Sequence, residues 1–267
     1  MRALRHQRPN QHDWYMNKTH APIVEVSNLR KVYGSKVAVS DVSFSVQQGE
    51  IFGILGPNGA GKTTTVECIA GLRESDGGVI TVLGIDPQIR PELIREQVGI
   101  QFQEAQMHDK ITVVEALELF ASFYPNPANV ENLITLLGLD EKRTSLFKTL
   151  SGGQKQRLSI GLALVGRPRV VVLDELTTGL DPVGRRDTWD LVRKVRDAGV
   201  TVLLVTHFME EAERLCDRLV IIDNGLVIAE GAPQHLIDDT SGATSLEDVF
   251  VAITAPTRNI VLEGVFA

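Results

Sequence analysis

The stretch GILGPNGAGKTTT, residues 53–65, constrains the fold of this chain more than any other. Gly56, Gly61, Lys62 and Thr63 satisfy the spacing G-x-x-x-x-G-K-[ST]. The apolar run 51–55 in front of it reads as a strand, and the run 62–71 after it reads as a helix. Glycines let such a loop curl with its N–H groups pointing inward, at the positive end of a helix dipole, and that is a cradle for a chain of phosphates. Gly56, Pro57, Asn58, Gly59, Ala60, Gly61 and Thr64 form its wall. Lys62 brings charge to the β- and γ-phosphates, and the Thr63 hydroxyl is placed to hold Mg²⁺, a hard cation that takes oxygen ligands. The bare spacing arises by chance in about one chain of this length in a hundred. The strand before it and the helix after it make a chance match rarer still.

A strand feeding a loop and a helix is the repeating unit of a parallel α/β sheet, and the rest of the chain continues the alternation. Strand patterns fall at 23–26, 37–46, 51–55, 79–83, 98–102, 170–173, 201–206 and 220–222. Helical patterns fall at 62–71, 113–124, 130–137, 152–165, 185–198 and 209–216, with Gly199 as a C-cap. The early strands have few helices among them and predict an antiparallel β part. Residues 104–165 are almost wholly helical in pattern and read as an inserted subdomain. Residues 1–21 are polar, carry His6, His12 and His20, and read as a disordered tail rather than a metal site.

Composition narrows the functions open to such a chain. With 267 residues, 43% of them hydrophobic and 23% charged, it can bury a full core. A net charge of −7 argues against non-specific nucleic-acid binding. No apolar run approaches the roughly 18 residues of a membrane span, and the N-terminus has no apolar segment of a signal peptide. Cys68 and Cys216 are too few for a disulfide framework and read as buried thiols. Work at a membrane would be done from the side, through a partner.

Two further stretches carry chemistry. In VVVLDELTTGLDP, residues 170–182, a buried strand is followed by two acids. Asp174 is placed to complete a Mg²⁺ shell, and Glu175 to orient or deprotonate an attacking water. LSGGQKQRL, residues 150–158, holds no carboxylate, histidine or cysteine. Ser151 is a good N-cap, Gly152 and Gly153 let another group approach the backbone, and an apolar-periodic run follows. Read alone, it is equally an ordinary capped helix or a second anion seat. The first loop already wraps a phosphate chain from one side. A second copy of the chain could bring the other seat to it.

These stretches together resemble the ATP-binding cassette (ABC) ATPases, with LSGGQKQRL as the signature motif, and the likeness covers residues 23–253. Tyr33 of KVYG matches the aromatic residue that stacks on adenine, Gln103 of VGIQFQE the glutamine that joins the metal site to the helical insert, Asp181 of GLDP the loop that communicates across a dimer, and His207 of LLVTH the switch histidine that contacts the γ-phosphate. Gln101 stands out of place for the glutamine loop. The resemblance implies an α/β fold: a P-loop NTPase (RecA-like) core with an antiparallel β subdomain and an inserted helical subdomain, the cassette spanning 22–254 and a C-terminal tail 255–267. It also implies Glu175 and His207 as catalytic residues. Thr63, Gln103 and Asp174 would be the protein's side of a Mg²⁺ site. Tyr33, the loop 56–64, Gln103, Ser151, Gly152, Gly153 and Asp181 would be the contacts to ATP. The family usually has proline after the catalytic glutamate; Leu176 here restores an N–H and frees φ, so a slightly less rigid loop is expected. The runs 209–236 and 245–254 look like the separate ATPase subunits of ABC-2 type exporters. That implies a second copy or a related ATPase subunit, an integral-membrane ABC-2 type permease, no nucleic acid, and a place on the cytoplasmic face of the plasma membrane. Two other readings are a soluble ABC protein of translation or repair, and a regulatory ATP-binding module that does not hydrolyse. The first calls for a second cassette or long coiled coils, and Glu175 and His207 speak against the second.

Overall fold

The structure, a computed structural model, describes residues 21–101 and 107–258, with side chains to Thr254. In chain order its strands are β1 (Val24–Tyr33), β2 (Lys36–Val46), β3 (Ile51–Leu55), β4 (Gly77–Val82), β5 (Val98–Gln101), β6 (Val170–Asp174), β7 (Thr201–Thr206), β8 (Arg218–Asp223) and β9 (Leu226–Gly231). Its α-helices are α1 (Lys62–Ile69), α2 (Pro91–Gln97), α3 (Val113–Ala121), α4 (Val130–Leu136), α5 (Gly152–Leu164), α6 (Pro182–Asp197), α7 (Met209–Leu215), α8 (Pro233–Asp239) and α9 (Leu246–Arg258).

The strands run in the order β4-β1-β2-β9-β8-β3-β7-β6-β5. From β8 to β5 all pairings are parallel, while β1 pairs antiparallel with both β2 and β4. β9 folds back antiparallel on β8 and meets β2 at Asp41 and Leu226. The parallel strands are buried on both faces, so they read as continuous apolar runs, and successive residues feed two different cores. On β3, Ile51 and Leu55 join one core while Phe52 and Ile54 join the other. The first core packs the sheet against α3 to α9, through Leu117, Leu158, Val192, Leu215 and Leu246. The second lies under α1 and the antiparallel strands, through Val24, Val39, Val66 and Ile69. Each fully buried Ile, Leu or Phe contributes about 1.5–3 kcal/mol of transfer free energy.

The connection from β5 to β6 carries α3, α4, two 3-10 turns (Asp140–Lys142 and Phe147–Thr149) and α5. α3 opens on a capping box: Thr112 accepts from the Glu115 N–H at 3.3 Å and Glu115 accepts from the Thr112 N–H at 2.8 Å.

Several elements differ from the sequence reading. β1 runs to Tyr33, past the apolar stretch 23–26, because pairing on both sides holds its polar half extended. β9 was not expected, although Leu226–Ala229 is an apolar run directly after Asn224 and Gly225; its residues alternate between exposed and half-buried. α2 and α8, also not expected, are helices of 7 residues opened by proline at N1, and α9 runs to Arg258, past the expected boundary at 254. The expected tails otherwise lie outside the described residues, as does Gln103.

Candidate nucleotide site

β3 is buried at all five residues and delivers the loop 56–61 at its C-terminal end. Two glycines there are obligatory. Gly56 has φ +150°, and a Cβ on it would collide with the Ile222 carbonyl oxygen. Gly61 has φ +107°, caps α1, and a Cβ on it would stand 2.5 Å from the Ala38 carbonyl oxygen. The loop is tied from both sides. Lys62 Nζ donates to the Gly56 carbonyl at 2.8 Å and to that of Pro57 at 3.0 Å. The Gly225 N–H, at the tip of the β8–β9 hairpin, donates to the Ala60 carbonyl at 2.9 Å. Thr65 Oγ1 donates to the Gly61 carbonyl at 2.9 Å. Burial pushes the Lys62 ammonium below its ordinary pKa, and the carboxylates of Glu175 and Asp174 oppose that. Its charge is thus held in a dry site and waits for an anion.

The two acids leave β6 in different directions. Asp174 is buried, 7% exposed, and its N–H donates to Gln101 Oε1 at 3.2 Å. Burial raises its carboxyl to about 6, the Glu175 charge adds to this, and Lys62 opposes it. Glu175 adopts φ +49°, in the left-handed region few non-glycine residues visit, and its N–H donates to the Val205 carbonyl at 2.9 Å. That twist turns its side chain to His207, whose Nδ1 lies 3.0 Å from Glu175 Oε1. Leu176 next to it is fully buried in the first core. Where the family usually has proline, the loop thus has an apolar side chain packed into that core.

Tyr33, Lys36, Ala38, Asn58, Gly59, Gly61, Lys62, Thr63, Thr64 and Glu175 line one cleft of about 360 Å³. Tyr33 is 38% exposed, and the Arg73 guanidinium lies 5.1 Å from its ring centroid. Thr63 and Asp174 border the same void of about 10 Å³ between α1 and β6. The wall of that void is apolar, so it is not itself a cation seat, although a hydroxyl and a carboxylate are the oxygen donors that a hard divalent cation takes. Among the described residues there is no group of three or more His, Cys, Asp or Glu that could hold a metal ion. Ser151, Gly152, Gly153 and Asp181 lie elsewhere. Ser151 caps α5 in a capping box with Gln154, and Asp181 caps α6 by accepting from the Gly184 N–H at 2.8 Å. These two helix starts are neighbours: a Cβ on Gly152 would stand 3.7 Å from the Leu180 side chain, and one on Gly153 3.9 Å from Gly184.

Comparison with known proteins settles what this arrangement belongs to. Residues 39–178 match the family model described as ABC transporter. The chain is 42% identical over 229 residues to the Nod factor export ATP-binding protein I of Mesorhizobium japonicum, covering 84% of this chain and 67% of the relative. The protein of the same name from Burkholderia orbicola is 44% identical over 232 residues, covering 85% and 76%. The chain belongs to the ABC transporter family. A solved ATP-binding subunit of an ABC transporter superposes with a TM-score of 0.77 at 30% identity, covering 87% of this chain and 99% of that one. A dimeric ATP-binding cassette solved in a post-hydrolysis state with ADP and Pi gives 0.70 at 25% identity, covering 78% and 98%. The protein is an ATP-binding, ATP-hydrolysing subunit of an ABC transporter. Its cassette is a mixed α/β P-loop NTPase fold, as the sequence predicted. Among the described residues no helix is long and apolar enough to cross a membrane.

The cassette brings together Tyr33, the loop residues, Thr63, Asp174, Glu175 and His207, and leaves Ser151–Gly153 and Asp181 on another face. Gln103 lies outside the described residues. Sequence reasoning passed over Gln101, which is 3% exposed and orients the Asp174 backbone; its place opposite Leu173 in the β5–β6 ladder was not visible in the spacing. It also passed over the hairpin tip at Asn224 and Gly225, with φ +48° and +73°, although Asn-Gly between two apolar runs is a strong hairpin signal.

Proposed function

We propose that this cassette powers export by closing on ATP against a second cassette, its own copy or a related subunit, with each nucleotide gripped by the loop 56–64 of one chain and the Ser151–Gly153 helix start of the other. One observation carries this reading. The second anion seat is exposed at the start of α5, and none of its residues lines the cleft that holds the first. A phosphate chain in the cleft is open on the side away from Lys62, and an uncharged helix start with no acid in its first turn is a fitting lid for it.

Within the site, Lys62 exchanges the carbonyls of Gly56 and Pro57 for the β- and γ-phosphates. Thr63 and Asp174, with Gln103, would hold Mg²⁺, which neutralises phosphate charge when bound. Tyr33 offers its ring to the adenine. Glu175 takes the proton of the attacking water, and His207, 3.0 Å from it, holds it aimed while its other edge faces the γ-phosphate. Phosphate charge makes the closed dimer the tighter-binding state, so ATP closes it and hydrolysis releases it. Export is the direction in the printed names of the relatives from Mesorhizobium and Burkholderia. The partner proposed is an ABC-2 type permease, with the cassette docked on its cytoplasmic face. The Glu175–His207 contact speaks against a purely regulatory ATP-binding module, since such a module has no use for a base held at 3.0 Å by a histidine.

The experiment mixes a Lys62→Ala chain with a Ser151→Arg chain, each inactive alone. Mixed dimers contain one intact site, so activity should appear at about a quarter of the wild-type rate for free exchange in a two-fold dimer. Activity no higher than either parent refutes a site shared between chains.

A further inference from the structure

A buried acid with no place in the hydrolysis scheme stands behind the Glu175–His207 pair. Glu211, on the first turn of α7, is 1% exposed. Its Oε1 accepts from Trp189 Nε1 at 3.1 Å, and Trp189 belongs to α6, the helix capped by Asp181. The hydroxyls of Thr206 and Thr177 lie against the same carboxyl, and the Arg185 charge faces it. Burial dominates and raises Glu211 above its ordinary pKa, with those four neighbours opposing. Thr177 Oγ1 and Glu211 Oε2 are both buried, and neither completes a hydrogen bond of full geometry.

The neighbours of this carboxyl belong to both loops of the site. Thr206 is the residue before His207, and its Oγ1 accepts from the Phe208 N–H at 3.0 Å, closing the turn that presents the histidine. Thr177 is two residues after Glu175 and fully buried. Trp189 continues the same loop into α6. A carboxylate in a dry interior is costly, and an apolar side chain of similar size would pack there without that cost. What it does there is hold polar groups from two loops at once.

We propose that Glu211 is a positioning residue for hydrolysis: its carboxyl, set between Thr177, Thr206 and Trp189, locks the loop carrying Glu175 to the loop carrying His207. This rests on the reading of Glu175 and His207 as the hydrolytic pair. The carboxyl does not line the cleft; it acts through the spacing of the pair, where a displacement of about 1 Å costs up to roughly a hundredfold in rate.

The test uses the full chain and compares Glu211→Gln, Thr177→Val, His207→Ala and the Glu211→Gln/His207→Ala double variant, reading folded fraction, nucleotide affinity, KM and kcat. Gln keeps an acceptor for Trp189, and Val keeps the shape of Thr177. Expected is a fall in kcat of roughly tenfold in each of the first two, with KM and nucleotide affinity within about twofold because the Lys62 loop is untouched. The double variant should be no slower than His207→Ala alone, since spacing is moot once the histidine is gone. Glu211→Gln and Thr177→Val chains that fold and keep kcat overturn the inference, as does a double variant whose losses multiply. If Glu211→Gln fails to fold, Thr177→Val decides by the same criterion. A His207→Ala chain at full rate overturns the pair itself and this inference with it. Loss in His207→Ala beside full rates in the other two overturns the inference alone.

Discussion

Asp174→Asn should make the nucleotide-free fold more stable while ending hydrolysis. Asp174 stands at the end of β6, 7% exposed, and its carboxyl is raised from an ordinary 3.8 to about 6, first by burial and then by Glu175. A carboxyl that binds its proton more tightly in the folded chain than in the unfolded one destabilises the fold as pH rises from 3.8 to about 6. At 1.36 kcal/mol per tenfold, the full penalty above that window is about 3 kcal/mol. Solvent in the open cleft reduces it, and removing Asp174 also strips the buried Lys62 of one of its two carboxylates, leaving a net gain of about 1–2 kcal/mol. For a chain of this size that is a rise of about 2–6 °C in Tm. The assay is thermal unfolding followed by circular dichroism, in EDTA without nucleotide, at about pH 7.5 and again at about pH 4.5. The gap between variant and parent should be present at the higher pH and shrink at the lower, where the parent carboxyl is protonated. ATPase activity should be lost at both, because asparagine offers a cation no charge. An Asn variant that melts lower than its parent at pH 7.5, or a gain of the same size at both pH values, refutes the assignment of the penalty to this carboxyl.

Glu175→Gln should bind ATP normally, lose roughly 10²–10⁴-fold in kcat, and collect as a dimer with ATP in size-exclusion chromatography; undiminished turnover would remove Glu175 as the base. Leu176→Ala opens a cavity in the first core and should cost about 2–4 kcal/mol by urea unfolding with KM little changed, whereas an unmoved midpoint would mean the side chain does not anchor the loop.

The site was legible where chemistry is written in a contiguous run. Residues 56–64 and 174–175 announce themselves, since a strand, a loop and a helix start lie in order along the chain. Fold was legible where burial is two-sided: β3, β6 and β7 are buried throughout and were read to within a residue. It was not legible where burial is partial. β9 is an apolar run too short to stand out from β8 before it, and the polar half of β1 around Arg30 and Lys31 is held extended by pairing, with Gly77 opposite Arg30 and Val39 opposite Lys31. Gln101 and Glu211 were passed over for a related reason. A glutamine in a strand and a glutamate on the first turn of a helix look like solvated residues until tertiary packing encloses them, at 3% and 1% exposure.

Strand order accounts for which of the candidate residues meet in one cleft and which do not. β3, β7 and β6 are consecutive in the sheet, with Leu55 opposite Thr206 and Val205 opposite Asp174. Neighbouring strands lie about 4.8 Å apart. Gly56, His207 and Glu175, far apart in sequence, thus leave the sheet side by side at the C-terminal ends of three adjacent parallel strands, where α/β sheets open their crevices. The loop, the base and the switch histidine follow from that register. Ser151 has no such register to follow. It opens the last helix of the connection between β5 and β6, and that helix start packs beside that of α6, so no strand carries it to the crevice. The sheet that aligns the loop 56–61 with Glu175 is therefore the same feature that leaves Ser151 off the cleft, and on the reading proposed above a facing copy would supply it.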